Sequence, residues 1–138
     1  MRLFLDTNIL IDLLDSERPH HEASTELMRA VQRGQVRACI SAISIVNAIY
    51  ILRKAMPGKV MARHLLRMLD TVELSRLDVQ DMRAALASDW PDLEDAIQHR
   101  SALASGQVDA IVSHDADMKR HAELPVLSPR QVLQRLAR

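Results

Sequence analysis

The sequence predicts an α/β fold: a central, mostly parallel sheet of four to five strands, flanked by helices on both faces. Two observations carry this. Five short apolar runs, Arg2 to Leu5, Val36 to Ile40, Thr71 to Leu74, Asp109 to Val112 and Pro125 to Leu127, have strand length. Stretches of helical periodicity separate them, and strands that alternate with helices form parallel sheets covered on both sides. The chain has 138 residues, 48% hydrophobic and 26% charged, which suits one globular domain over 1–138 with an ordinary core.

Taken in order, Arg2 to Leu5 is a buried strand broken by Asp6-Thr7-Asn8, and Ile9 to Leu14 is a short helix that Asp6 or Thr7 can cap. A helix from about Pro19 to Arg33 stops at Gly34. After the second strand, Ser41 or Ser44 caps a helix reaching about Lys54, and Pro57-Gly58 turns the chain. Lys59 to Asp70 is helical, with Met61, Leu65, Met68 and Leu69 on one face and Lys59, Arg63 and Arg67 on another. Val79 to Ala87 is helical again. Trp90-Pro91-Asp92 opens a helix that runs to Ala104 and ends at Gly106, and Ser128 caps a last helix. No internal repeat, linker or low-complexity segment interrupts this pattern.

Composition narrows the function. Phe4, Tyr50 and Trp90 are the only Phe, Tyr and Trp residues, so the core is aliphatic, and so few aromatics argue against a surface that binds single strands by stacking bases. Formal net charge is zero, so any nucleic-acid contact must be a local basic patch, for which Lys59, Arg63 and Arg67 are the candidates; an ordinary solvated helix face is the plainer reading. The single Cys39 cannot form an internal disulfide and reads as a core thiol. No signal peptide precedes the first strand and no apolar run would span a bilayer, so a cytoplasmic protein without membrane contact is expected. The chain contains no H-E-x-x-H, Walker loop, G-x-G-x-x-G or G-x-S-x-G, and Asn8 stands where a phosphoaspartate enzyme would want a second acid.

What remains is acidic. Ligands of open parallel sheets bind beyond the carboxyl ends of the strands. Asp6 ends the first strand, Asp115 and Asp117 follow the strand ending at Val112-Ser113, and Asp92, Glu94 and Asp95 lie in the first turn of a helix entering from the same edge. Two carboxylates about 4 Å apart repel by roughly 4 kcal/mol at an effective dielectric near 20. A hard divalent cation relieves that, and Mg²⁺ or Mn²⁺ suits an all-carboxylate site. So held, the cation can polarise a phosphate oxygen and acidify a bound water, the chemistry of phosphodiester hydrolysis. Each acid also has a plainer reading. Asp6 could be a helix cap, Asp92, Glu94 and Asp95 could serve a helix dipole, and Asp115 and Asp117 could be solvated loop acids.

Three stretches resemble the PIN-domain family, and especially its VapC-type toxins of toxin–antitoxin pairs. Leu5-Asp6-Thr7-Asn8-Ile9-Leu10-Ile11-Asp12-Leu13-Leu14 is similar to the family's first motif, Asp92-Leu93-Glu94-Asp95-Ala96 to its central acidic helix start, and Ile111-Val112-Ser113-His114-Asp115-Ala116-Asp117-Met118 to its last. The resemblance spans the chain and implies a three-layer PIN-like fold. It also implies a Mg²⁺- or Mn²⁺-dependent endoribonuclease acting on RNA, a cognate antitoxin and a homodimer. On it, Asp6, Asp95, Asp115 and Asp117 are metal ligands, Asp92 and Glu94 near neighbours, and Thr7, Asn8 and Ser113 polar supports. The sequence departs from the family pattern at Asn47, which stands where a Glu is usual. Asn keeps an oxygen and loses a charge, which opens the alternative of a weak or inactive module that binds RNA or a partner without cutting. Ser113 for Thr keeps a hydroxyl, and Met118 for Phe keeps an apolar anchor.

Overall fold

The computed structural model describes residues 1–138. Five parallel strands, β1 (Arg2–Leu5), β2 (Arg37–Ile40), β3 (Glu73–Leu74), β4 (Ala110–Val112) and β5 (Val126–Leu127), form one sheet in the order β3-β2-β1-β4-β5. Eight helices connect and flank them: α1 (Thr7–Leu14), α2 (His21–Gln32), α3 (Ala42–Leu52), α4 (Gly58–Leu69), α5 (Val79–Leu86), α6 (Leu93–Ala104), α7 (Ala116–His121) and α8 (Pro129–Leu136). The sheet is parallel throughout, as the alternation of elements implies.

Side-chain alternation along the strands divides the core in two. Leu3, Leu5, Ala38, Ile40, Ala110 and Val112 face the larger cluster, which α1, α2, α4 and α8 complete through Leu10, Leu27, Met61, Leu65, Met68 and Val132. Phe4, Cys39 and Ile111 face the smaller, closed by Ala102, Val108 and Met118. Three layers result. Cys39 is fully buried, and burial pushes its thiol pKa up.

The differences from the expected elements are local. Ser41, not Ser44, caps α3, its hydroxyl accepting from the Ser44 N–H. Asp92 caps α6, so that helix begins at Leu93. Gly34 adopts φ +73° just past α2, the left-handed stop expected of it. Leu69 is 40% exposed although it shares a periodic stripe with the buried Met61, Leu65 and Met68. The one unexpected element is α7, where Asp115 and Asp117 read as loop acids. Asp115 caps it, accepting from the N–H groups of Asp117 and Met118, and the buried Met118 anchors it. Six residues are too few to show an apolar period.

Chain order makes the sheet's edge matter. From β1 the chain winds outward through β2 and β3, then returns to place β4 against the other side of β1 and β5 beyond it. The crevice of a parallel sheet opens where the winding reverses, here between the carboxyl ends of β1 and β4. Asp6 and Ser113 follow those ends directly.

The smaller core is the more vulnerable. Phe4→Ala should cost about 3–5 kcal/mol, because so few neighbours can collapse into the space left. Urea unfolding of the variant beside the unmodified protein measures this.

Candidate metal centre

Asp6 is the fixed point. It is 4% exposed, and four groups surround its carboxylate. Oδ1 accepts from the Thr7 N–H at 2.9 Å and from the Gln98 amide at 3.3 Å. Oδ2 accepts from the Ser113 hydroxyl at 2.7 Å and the Asn8 amide at 3.4 Å. Burial raises its pKa, and these bonds oppose the rise without cancelling it. Ser113 also accepts from the Asp115 N–H at 3.0 Å, tying the β4–α7 loop to Asp6.

Asp95 and Asp115 stand close by. The Asp95 carboxyl is pushed up to about 7, first by burial, then by the charge of Asp115, then by Asp92 and Asp6, with a hydrogen bond to Asp115 favouring the protonated form. Glu94 is raised by burial and by Asp92 and Asp6, while the Asn47 amide donates to its Oε1 at 2.8 Å and pulls the other way. Asn47 thus orients a carboxylate from the neighbouring helix. Asp92 caps α6 through a 3.0 Å bond from the Asp95 N–H.

Other expected residues stand apart. The half-exposed Asp117 carboxylate pairs with Arg120 at 3.3 Å. Lys59, Arg63 and Arg67 lie exposed on α4. Sequence reasoning missed Gln98 altogether. It is fully buried, accepts from Ser41 Oγ at 2.5 Å, donates to Thr7 Oγ1 at 3.1 Å and lies against the Ser44 hydroxyl, which meets Thr7 at 2.8 Å. Its signal was its place three residues after Asp95, on the same helix face.

As they stand, no three His, Cys, Asp or Glu side chains are arranged to hold a metal ion. The donor set still fits a hard divalent cation in kind. It is all oxygen, and burial together with the charge of Asp115 pushes Asp95 up to about 7. A cation there would replace the Asp95 proton and remove the repulsion.

The family profile for the PIN domain matches residues 2–117. The chain belongs to the PIN-domain family. Ribonuclease VapC1 of Aquifex aeolicus (strain VF5) is 23% identical over 109 residues, 76% of each chain. Among solved structures, VapBC2 from Rickettsia felis bound to a promoter DNA fragment superposes with a TM-score of 0.65 at 16% identity, covering 93% of this chain and 98% of that one. VapBC-1 from nontypeable Haemophilus influenzae gives 0.65 at 17% identity, covering 94% and 99%. The resemblance drawn from the three motifs, and the fold it implied, are borne out.

The crowding has a consequence for pH. A carboxyl whose pKa is higher folded than unfolded stabilises the fold while protonated, and that contribution is lost as pH rises through the folded value. In EDTA, the melting temperature of Asp95→Asn should match the unmodified protein below about pH 4. It should exceed it increasingly as pH climbs to about 7, then level off. His99 and His114, both lowered by burial, act in the opposite sense in both proteins and cancel in the difference. Equal melting curves at pH 8 would show that neither burial nor neighbouring charge raises Asp95.

Proposed function

We propose that this PIN-domain chain is a Mg²⁺- or Mn²⁺-dependent endoribonuclease, a single domain over 1–138 and the cytoplasmic toxin of a type II toxin–antitoxin pair. One observation carries the reading: beside the buried, fourfold hydrogen-bonded Asp6 at the β1–β4 reversal, burial and then the charges of Asp115, Asp92 and Asp6 push Asp95 up to about 7. The relative named as a ribonuclease supports the reaction class.

Asp6, Asp95 and Asp115 would hold the cation, with Glu94 beside them and Asp117 farther out, acting through water. When bound, the cation would polarise a phosphate oxygen and supply an acidified water for attack on phosphorus. The chain's own residues set the stage. Ser113, Asn8, Gln98 and the Thr7 N–H hold Asp6 in one orientation. The buried Thr7, Ser41, Ser44 and Gln98 satisfy one another beneath it and keep the floor of the site dry. The substrate is single-stranded or looped RNA, whose splayed backbone can reach such an edge. Lys59, Arg63 and Arg67, exposed and without ion-pair partners, are assigned non-specific contacts to its phosphates.

Two apolar surfaces suit the partners. Val46, Ile49 and Tyr50 form a stripe on α3 that is 63%, 44% and 63% exposed, which we assign to a homodimer. Leu10, Leu13, Leu14, Met28, Leu65 and Met68 line a groove between α1, α2 and α4, which we assign to an antitoxin segment; the VapBC structures among its fold relatives support a partner of that kind. No helix is long and apolar enough to cross a membrane.

Asn47 favours one rival, a PIN module that binds without cutting, because it leaves the site a charge short. Calorimetric titration with Mn²⁺ separates the two readings: absent binding, restored by Asn47→Glu, favours the rival. Purified protein should cleave a mixed RNA pool with Mn²⁺, and both EDTA and Asp6→Asn should abolish the cleavage. Gln98→Ala, which removes a donor to Asp6, should slow it by roughly 10–100-fold, as loss of a bond to a metal-ligating group does.

A further inference from the structure

Beside the acids lies a cluster that this chemistry does not use. Asp12, in α1, is 1% exposed, and its Oδ1 accepts from Arg18 Nε at 2.6 Å. Its Oδ2 lies 3.5 Å from His114 Nε2, and neither atom has a hydrogen-bond partner. The His20 ring stacks on His114, centroids 3.8 Å apart and planes 17° from parallel. His21 donates from Nδ1 to the Asp12 carbonyl at 2.8 Å. The cluster adjoins the acid site through the chain itself. His114 stands between Ser113 and Asp115, and its N–H donates to Asn8 Oδ1 at 3.3 Å.

We propose that Arg18 and the stacked His20–His114 pair seat the RNA strand next to the scissile bond, Arg18 taking a backbone phosphate and the open face of His20 an unpaired base. The proposal rests on the nuclease reading and adds to it where the strand lies.

Arg18 is built for a phosphate. Its side chain is 39% exposed, and its Nε is fixed by a buried carboxylate while its terminal nitrogens carry no protein partner. A guanidinium oriented in advance, with donors free, matches phosphate oxygens and loses little freedom on binding. Burying Asp12 for stability alone makes poor sense, since an apolar side chain of similar volume commonly serves as well as a buried ion pair. As a bracket for Arg18 and His114 it has a purpose.

His20 is built for a base. It occupies the N-cap position of α2, yet its side chain makes no capping bond. It is exposed, and His114 covers one face of its ring. Single-stranded RNA is commonly read by stacking unpaired bases on such rings. The other aromatics cannot serve here. Phe4 is fully buried, Trp90 packs against His99 and His121, and Tyr50 lies under Arg53 on α3. The seat also answers an electrostatic need, because a polyanion must approach an edge lined with carboxylates.

The test is Mn²⁺-dependent cleavage of a mixed RNA pool, followed against RNA concentration. Arg18→Gln and His20→Ala should each raise the concentration for half-maximal cleavage about tenfold, the loss falling there rather than on the maximal rate. His20→Phe, which keeps a ring, should recover most of that loss. Arg18→Gln should also flatten the salt dependence by about one phosphate contact. If the unmodified protein cleaves but both variants saturate as it does, or lose only melting temperature, the seat is refuted and the nuclease stands. Equal losses in His20→Ala and His20→Phe would refute stacking. If the unmodified protein cleaves no RNA, the nuclease reading falls and the seat with it.

Discussion

The hydrogen bond from Ser113 to Asp6 closes the seam between β1 and β4, and the acidic edge is organised around it. The two strands run in register from Leu3 opposite Ala110 to Leu5 opposite Val112, and the Asp6 N–H then donates to the Val112 carbonyl at 3.0 Å. One residue further the ladder is exhausted, and the side chains take over. Asp6 reaches Ser113, Ser113 receives the Asp115 N–H, and Asn8 clasps the following loop through the His114 N–H. A carboxylate this buried is costly unless hydrogen-bonded. The supports of Asp6 come from α1, α6 and the β4–α7 loop, so the fold must assemble before they exist together.

The two ends of the sheet treat charge in opposite ways. At the amino ends, Glu73 of β3 receives Arg2 of β1 at 3.0 Å and Arg37 of β2 at 2.5 Å, and those guanidinium groups hold its pKa below the usual range. Away from the site, Asp81, inside α5, accepts from the N–H of the cap residue Asp78 and meets Arg100, and its pKa is lowered too. At the carboxyl ends, Asp6, Glu94 and Asp95 are all raised. A neutral chain therefore carries an uncompensated acidic edge. Structural acids are paired where the fold allows, and acids raised by burial and then by one another's charge are a pattern typical of sites where something other than stability set the sequence.

Sequence reveals the parts of this whose signal is local. The apolar strands, the caps at Asp6, Asp92 and Ser128, and the glycine stop at Gly34 all rest on neighbours a few residues away. That Asp6 and Asp115 lie at one edge was also readable, because a parallel sheet fixes which edge receives a residue following a strand. What escaped depends on contacts across the chain. Gln98 looks like any polar helix residue until Ser41, Ser44 and Thr7 are seen around it. Asp12 looks like a solvated helix acid, and only the fold brings Arg18 and His114 to it. The helix α7, which carries Asp117, is too short to announce itself.

The helix-cap and metal-site readings of these acids turn out not to compete. An ionised carboxylate has two oxygens and about four acceptor positions, and a cap takes only part of that capacity. Asp115 gives Oδ1 to the N–H groups of Asp117 and Met118, and its second oxygen has no backbone partner. Asp92 caps α6 through Oδ1 alone, and by bonding the Asp95 N–H it sets the turn from which Asp95 projects. Asp6 accepts from the first N–H of α1 with the oxygen that Gln98 also meets, while the other holds Ser113. Capping fixes each backbone, and the fixed backbone directs the carboxylates that repel one another. Helix starts are thus economical places for acidic centres: their N–H groups restrain a carboxylate and their dipoles offset part of the cost of crowding it. Acids that local sequence assigns to caps can, in a parallel sheet, be the same acids that meet at its edge.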